Sequence, residues 1–170
     1  MNENRYGMIK DFFEKNNRFK IFKMLYIFST ALFVLVYAAI LLKNIAKKEY
    51  KRLFCNIFAP GVTFGLCTII RHKINRKRPY EEMNIEPLIN KDKKGHSFPS
   101  RHVTSAFAIA VTAYHENKGL GIFSMFVATI VAFVRVIAGV HYVKDVVAGM
   151  VFGSAVTKKI YDIVSTKHIT

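Results

Sequence analysis

The stretch Met24–Leu42, MLYIFSTALFVLVYAAILL, decides the fold because it runs for 19 residues without a charge. A helix rises about 1.5 Å per residue, so this stretch approaches the ~30 Å hydrocarbon thickness of a bilayer. Leu53–Ile70 is a second uncharged stretch of 18 residues, and Gly119–Val134 is a third of 16. The sequence therefore predicts a chain that crosses a membrane as helices.

Two shorter uncharged runs, 103–114 and 146–157, each follow a polar cluster that would lengthen them at the amino end. Runs of about 12 residues are by themselves more typical of buried core helices. With the polar tips included we expect both to span, which makes five transmembrane helices. The predicted fold is thus an all-α integral membrane helical bundle.

The first 20 residues are polar and basic, yet Met8, Ile9, Phe12 and Phe13 recur in them at helical spacing. This pattern predicts an amphipathic helix lying on the lipid headgroups, although a plain juxtamembrane tail would also fit. We therefore divide the chain into an amino-terminal interfacial segment, 1–20, and one transmembrane domain, 21–170.

Composition narrows the class of protein. The chain has 170 residues, is 52% hydrophobic and carries a formal net charge of +15. A soluble helical protein is disfavoured, because so short a chain could hardly bury two long uncharged stretches. A cleaved signal peptide is disfavoured too, since Met24–Leu42 exceeds the usual apolar length of about 7–15 residues. The basic residues lie at helix ends rather than along one face, which favours lipid headgroups over nucleic acid as the partner.

Three polar clusters interrupt this apolar sequence. The first is Arg71–Pro79, which reads RHKINRKRP. If the preceding helix continued through it, Arg71, Asn75 and Arg78 would share one face. Two guanidinium groups on one face can hold a phosphate through charge-assisted hydrogen bonds. Other charges here, such as Arg76, are explained as well by the positive charge that flanks membrane helices, so this cluster is weakly specific.

The second cluster, Pro99–His102, reads PSRH and opens the third predicted span. Ser100 is expected to cap this helix, whose free backbone N–H groups favour an anion. His102 could then donate a proton to a leaving oxygen. The alternative for His102 is an interfacial histidine that hydrogen-bonds the backbone.

The third cluster is the most specific. Arg135 interrupts an apolar run, and a charge at that depth is costly unless it is paired or functional. His141 and Asp145 are four residues apart, so the carboxylate can hold one imidazole nitrogen and fix the tautomer of the ring. A histidine held in this way is a competent nucleophile. Asp145 could also cap the fifth helix.

The predicted number of spans brings the clusters together. With five spans, the loop 73–98 and the turn 139–145 lie on one side of the membrane. Pro99–His102 opens its helix from that same side. We therefore expect one site at one membrane face.

In order and spacing, the three clusters resemble the signature of the type 2 phosphatidic acid phosphatase superfamily. That signature consists of Lys-x6-Arg-Pro, Pro-Ser-Gly-His and Ser-Arg-x5-His-x3-Asp. Here it reads Arg71-x6-Arg78-Pro79, Pro99-Ser100-Arg101-His102 and Val134-Arg135-x5-His141-x3-Asp145. The resemblance covers residues 52–155 of the chain. Three ordered motifs make a far stronger signal than any one of them.

The resemblance implies a separate catalytic or binding role for each of these residues. His141 would attack phosphorus and become a phosphohistidine, with Asp145 orienting it, and His102 would protonate the leaving oxygen. Backbone N–H groups of the second cluster would hold the phosphate oxygens together with a set of side chains, namely Arg71, Arg78, Ser100, Arg101 and Arg135. The resemblance implies no cofactor and no metal.

Three positions depart from the family signature. Arg71 replaces a lysine and keeps the positive charge. Arg101 replaces a glycine, so its bulky side chain must point away or join the phosphate contacts. Val134 replaces a serine and loses a hydroxyl. None of the three removes a group that makes or breaks a bond.

The expected function is hydrolysis of a lipid phosphate or polyprenyl diphosphate, such as phosphatidic acid, phosphatidylglycerophosphate or undecaprenyl diphosphate. The resemblance implies a multi-pass protein of the plasma membrane with its site on the extracytoplasmic face, whereas the lysine counts leave the orientation open. A vanadate-dependent haloperoxidase-like enzyme and a non-catalytic lipid-binding membrane protein are the alternatives. The sequence does not indicate the oligomeric state.

Overall fold

The computed structural model describes residues 3–14, 18–83, 85–89 and 93–166, and these ranges contain helices and no strands. Seven helical segments follow one another within these ranges. They are α1 Glu3–Glu14, α2 Arg18–Ala46, α3 Tyr50–Ile74, α4 Pro79–Glu82, α5 Arg101–Glu116, α6 Lys118–Ile137 and α7 Val143–Thr166. The predicted all-α architecture is confirmed.

Helix α5 forms the centre of the bundle and packs against α2, α3, α6 and α7. Most of its buried side chains are small or β-branched, which lets neighbouring helices approach closely. These buried residues are Val103, Thr104, Ala106, Phe107, Ala108, Ala110, Val111, Thr112 and Ala113. The amino end of α5, which carries the second polar cluster, is therefore enclosed by the ends of other elements.

Within the described residues, three segments are long and apolar enough to cross a membrane: α2, α6 and Tyr50–Glu82, which includes α3. Helix α5 has only 16 residues, which is short for a span. Helix α7 begins with charged residues in its first turn, Lys144 and Asp145. The expected total of five spans thus stays a prediction for α5 and α7.

Gly149 and Gly153 form a Gly-xxx-Gly pair in the sequence, a pattern that predicts close helix packing. In the structure the two glycines allow α7 to lie directly against α5. A Cβ atom on Gly149 would stand 2.9 Å from the carbonyl oxygen of Ser100. One on Gly153 would stand 2.5 Å from the carbonyl oxygen of Thr104. This close approach brings the start of α5 next to the start of α7, where Asp145 lies.

Helix α3 ends earlier than the sequence suggested. Its carboxyl cap is Asn75, which adopts a left-handed conformation with φ of 40°, and Arg78 is extended. Arg71, Asn75 and Arg78 therefore do not share a helical face. The side-chain oxygen of Asn75 instead accepts a hydrogen bond from the His96 backbone at 3.3 Å. The early helix end folds the following loop back over the end of the bundle.

Glu81 holds that loop in place. Its carboxylate accepts a hydrogen bond from the Arg78 backbone at 2.8 Å and from the Gly95 backbone at 2.8 Å. Gly95 has φ of 64°, and a Cβ there would lie 2.4 Å from the Asn75 side-chain oxygen. The two ends of the loop are thereby fastened to each other.

Helix α1 has exposed apolar side chains, Met8 and Phe12, and its Phe13 packs on Phe22 of α2 with ring centroids 5.0 Å apart. Its expected place on the lipid headgroups stays a prediction. Its one fully buried large side chain among the described residues is Tyr6. The sequence prediction placed a boundary after residue 20, whereas α2 already begins at Arg18.

At the opposite end of the bundle, Glu116 at the end of α5 links this helix to α2 and α3. Its carboxylate accepts hydrogen bonds from Lys43 at 2.7 Å, Asn44 at 3.2 Å and Asn56 at 2.9 Å. These donors lie on α2 and α3, so one buried acid connects three helices far from the polar clusters.

Candidate active site

Three of the predicted phosphate-binding arginines are buried at one end of the bundle. Arg71, Arg78 and Arg135 are at most 6% exposed and lie at the ends of different elements. Arg71 donates to the Pro99 carbonyl at 2.5 Å, and Arg78 donates to the Val140 carbonyl at 3.3 Å. Among the described residues, none of the three guanidinium groups pairs with a carboxylate. Buried positive charge without a counter-charge favours an anion at this position.

Helix α2 orients Arg135, which sequence reasoning had not foreseen. The guanidinium donates to the hydroxyl of Tyr26 and, at 2.9 Å, to the hydroxyl of Thr30. It also lies over the Tyr26 ring, 4.0 Å from the centroid. Tyr26 and Thr30 are four residues apart on one face of an apolar helix, and that spacing was the signal available in the sequence.

Asp145 is fully buried and its carboxylate has three donors. Oδ1 accepts from the Arg76 guanidinium at 2.8 Å. Oδ2 accepts from the Ser97 hydroxyl at 2.5 Å and from the Tyr142 backbone at 3.0 Å. Arg76, which looked like ordinary juxtamembrane charge in the sequence, thus supplies the counter-charge of this buried acid.

His141 does not reach Asp145 within hydrogen-bond distance, contrary to the expected direct contact. Its Nδ1 lies 3.7 Å from Oδ2 of Asp145 and 3.3 Å from the Ser97 hydroxyl. A carboxylate only accepts, so the Ser97 hydrogen belongs to the bond with Asp145. The Ser97 oxygen can then accept the Nδ1 hydrogen of His141. This arrangement leaves Nε2 of His141 with its lone pair.

Burial lowers the pKa of His141 to about 4. Asp145 raises this pKa, whereas the positive charges of Arg78 and Arg71 lower it further. The side chain is 3% exposed. Because the pKa lies well below neutrality, the imidazole is uncharged at neutral pH. An uncharged imidazole is the form that can attack an electrophile.

The second cluster lies where α5 begins. Ser100 occupies the amino-cap position, but its hydroxyl makes no capping hydrogen bond. The hydroxyl is fully buried and has no hydrogen-bond partner among the described residues. Its backbone N–H donates to the Asp145 carbonyl at 2.8 Å, which couples the two clusters directly. A buried hydroxyl without a partner at a helix amino end is suited to a ligand oxygen.

His102 and Arg101 line a cavity of about 330 Å³ between α2, α3, α5 and α6. Most of the other lining side chains are apolar: Phe33, Val34, Phe64, Ala106, Ile109 and Val131. The Arg101 guanidinium lies over the Phe64 ring, 5.5 Å from its centroid. The bulky side chain that replaces the family's glycine therefore lines this cavity and packs on Phe64.

His141 lines a different cavity, of about 610 Å³, together with Arg76, Tyr142 and Lys144. Hydrogen bonds join the three clusters: Arg71 donates to the Pro99 carbonyl, Arg78 to the Val140 carbonyl and the Ser100 backbone to the Asp145 carbonyl. The structure thus brings the predicted site residues to one end of the bundle. His102 and His141 line two different cavities there.

The profile of the PAP2 superfamily matches residues 22–169. A crystal structure of LpxE from Aquifex aeolicus is similar to this chain with a TM-score of 0.72 and 19% identity, over 95% of this chain and 94% of that one. A transmembrane PAP2-type phosphatidylglycerolphosphate phosphatase from Bacillus subtilis is similar with a TM-score of 0.54 and 18% identity, over 95% and 92%. These two likenesses concern the fold. No curated protein matches the chain.

Proposed function

This chain belongs to the PAP2 superfamily of phosphatases, and we propose that it hydrolyses a lipid phosphate through a phosphohistidine formed on His141. The observation that carries the proposal is the group of three buried arginines without a carboxylate partner. They lie next to a buried, neutral histidine whose Nε2 is left with its lone pair. Such a group is complementary to the charge that a phosphoryl group spreads over its oxygens in the transition state.

In the first step, Nε2 of His141 attacks phosphorus. The N–P bond forms as the bond from phosphorus to the leaving oxygen breaks. Arg71, Arg78 and Arg135 hold the other phosphate oxygens, and the unpartnered Ser100 hydroxyl adds a donor. His102 gives its proton to the leaving oxygen, so the lipid departs as an alcohol or as a monophosphate.

In the second step, water attacks the phosphohistidine. His102, now neutral, takes a proton from the water, and the N–P bond breaks to release inorganic phosphate. Ser97 and Asp145 hold the Nδ1 side of His141 throughout both steps. The ring therefore returns to its starting tautomer.

The cavity beside His102 supports a lipid substrate. It is lined mainly by apolar side chains and lies between helices that include α2, α3 and α6, which belong to segments long and apolar enough to span a membrane. A leaving group with a hydrocarbon chain fits there, with the bond to be broken next to His102. Phosphatidic acid, phosphatidylglycerophosphate and undecaprenyl diphosphate all have this form. We place the site on the extracytoplasmic face of the plasma membrane, as family resemblance implies.

The decisive experiment measures phosphate release by the purified protein in detergent micelles containing each of these three lipids. We expect His141→Ala and His102→Ala to abolish release, whereas His72→Ala, which changes an exposed histidine, should behave like the wild type. Turnover retained in both site variants would contradict the proposal. No release from any lipid by the wild type would favour a non-catalytic lipid-binding protein.

A second substrate separates the roles of the two histidines. The leaving group of p-nitrophenyl phosphate needs no proton, so this ester should restore turnover to His102→Ala but not to His141→Ala. Mass spectrometry of the peptide that contains His141, after an alkaline quench, should detect the phosphorylated residue. Phosphate on any other residue would rule out His141 as the nucleophile.

A further inference from the structure

Tyr6 of α1 is buried against the turn that carries His141. It is 1% exposed, although it lies in a helix that belongs to none of the three polar clusters. Its hydroxyl donates to the carbonyl oxygen of Ala138 at 3.3 Å and accepts from the backbone N–H of Leu88 at 2.9 Å. One side chain thus satisfies two backbone groups of two separate loops.

The turn is shaped to receive this side chain. Gly139 has φ of 72°, a conformation that residues with a Cβ rarely adopt. A Cβ at this position would lie 2.6 Å from the Tyr6 hydroxyl oxygen. Glycine at 139 therefore allows both the backbone conformation and the close approach of the tyrosine.

The turn leads directly to the proposed nucleophile. Val140 is 1% exposed, and its carbonyl oxygen accepts from Arg78 at 3.3 Å. His141 is the next residue. The turn is thus held by Arg78, a member of the phosphate site, and by Tyr6, which lies outside that site.

We propose that Tyr6 is a positioning residue, whose hydroxyl holds the turn 138–140 so that His141 points at the phosphate. This inference rests on the proposed role of His141 as nucleophile. The Tyr6 hydroxyl is engaged by two backbone groups, so it acts through the backbone of the turn.

Two features of helix α1 favour the contact between Tyr6 and the turn 138–140. Met8 is 73% exposed and Phe12 is 54% exposed, so α1 has a face with two large exposed apolar side chains. Such a face lies favourably in the headgroup region of a bilayer. Lys10 adds an ion pair of 2.8 Å to Glu86, which fastens the helix to the segment that contains Leu88.

The test is Tyr6→Phe, which keeps the ring and removes both hydrogen bonds. We expect kcat to fall by about 10-fold to 100-fold, because misplacement of a reacting group by up to about 1 Å has effects of this size. KM should stay within about 2-fold of the wild type, since the phosphate-binding side chains remain. Tyr50→Phe is the matched control, because Tyr50 is 63% exposed and lies at the other end of the bundle.

Hydrogen exchange supplies a readout that does not depend on turnover. In Tyr6→Phe, the backbone amide of Leu88 loses its acceptor, and exchange should rise there and at residues 139–141 but not in α5. Unchanged exchange at these amides, or a wild-type kcat in Tyr6→Phe, would overturn the inference. A wild type that neither releases phosphate nor becomes phosphorylated at His141 would overturn the proposed function and the inference together.

Discussion

The hydroxyl of Ser97 donates a 2.5 Å hydrogen bond to the carboxylate of Asp145, and through this bond the acid acts on the catalytic histidine candidate. Nδ1 of His141 lies 3.3 Å from the same hydroxyl oxygen. The histidine is thus oriented by a serine that is in turn oriented by the aspartate.

Replacement of Ser97 by alanine tests this relationship. We expect Ser97→Ala to lower kcat by about 10-fold to 100-fold, because Nδ1 loses its acceptor and the ring can adopt the wrong tautomer. Ser124→Ala is the matched control, since the Ser124 hydroxyl is also buried but has no partner among the described residues. Initial rates of phosphate release measure both variants. Equal kcat in the two would mean that Ser97 does not orient the histidine.

The ion pair between Arg76 and Asp145 should stabilise the fold. Asp145 is fully buried, so Arg76→Ala leaves a buried charge without its counter-charge. The free energy of unfolding should fall by roughly 3 kcal/mol. The thermal unfolding midpoint in detergent should fall accordingly. Lys77→Ala removes a neighbouring exposed charge and should leave the midpoint unchanged. A similar midpoint for both variants would show that Ser97 and the Tyr142 backbone suffice to hold the carboxylate.

The lowered pKa of His141 makes stability depend on pH. Between its ordinary pKa near 6.5 and the folded value of about 4, the unfolded chain binds the proton and the folded chain does not. Stability is therefore lost as the pH falls through this window, by up to roughly 3 kcal/mol from this group. Unfolding midpoints between pH 7 and pH 4 should fall less steeply in His141→Gln than in the wild type. His72→Gln, at an exposed histidine, should keep the wild-type slope; parallel slopes in all three proteins would refute the assignment.

Close packing of α7 on α5 predicts opposite effects for two glycines. Gly149→Ala places a Cβ 2.9 Å from the Ser100 carbonyl, so the start of α5 must shift. We expect a lower unfolding midpoint and a lower kcat. Gly65→Ala meets no atom within 4 Å and should stabilise α3 by about 0.5–1 kcal/mol through helix propensity. The prediction fails if Gly149→Ala is as stable and active as Gly65→Ala.

Much of the fold and of the candidate site could be predicted from the sequence. The uncharged run in α2 predicted a spanning helix, and the Gly149 and Gly153 pair predicted close helix packing. Both predictions depend on the spacing of residues that are close together along the chain, and this spacing can be read from the sequence. The end of α3 was missed, because the left-handed cap at Asn75 follows from contacts with the loop at His96 rather than from helix propensity.

The sequence by itself determined that this chain is an apolar helical protein with three polar clusters whose spacing matches a phosphatase family. Hydrophobic runs and motif intervals depend only on neighbours along the chain. Tertiary structure alone decided that Arg76, Ser97 and Tyr6 contact the segment that carries His141 and Asp145. Arg76 and Ser97 lie 69 and 48 residues from Asp145, and Tyr6 lies 132 residues from Ala138. No local pattern marks such partners, because a buried charge or carbonyl is satisfied by whichever group the packing of helices brings to it.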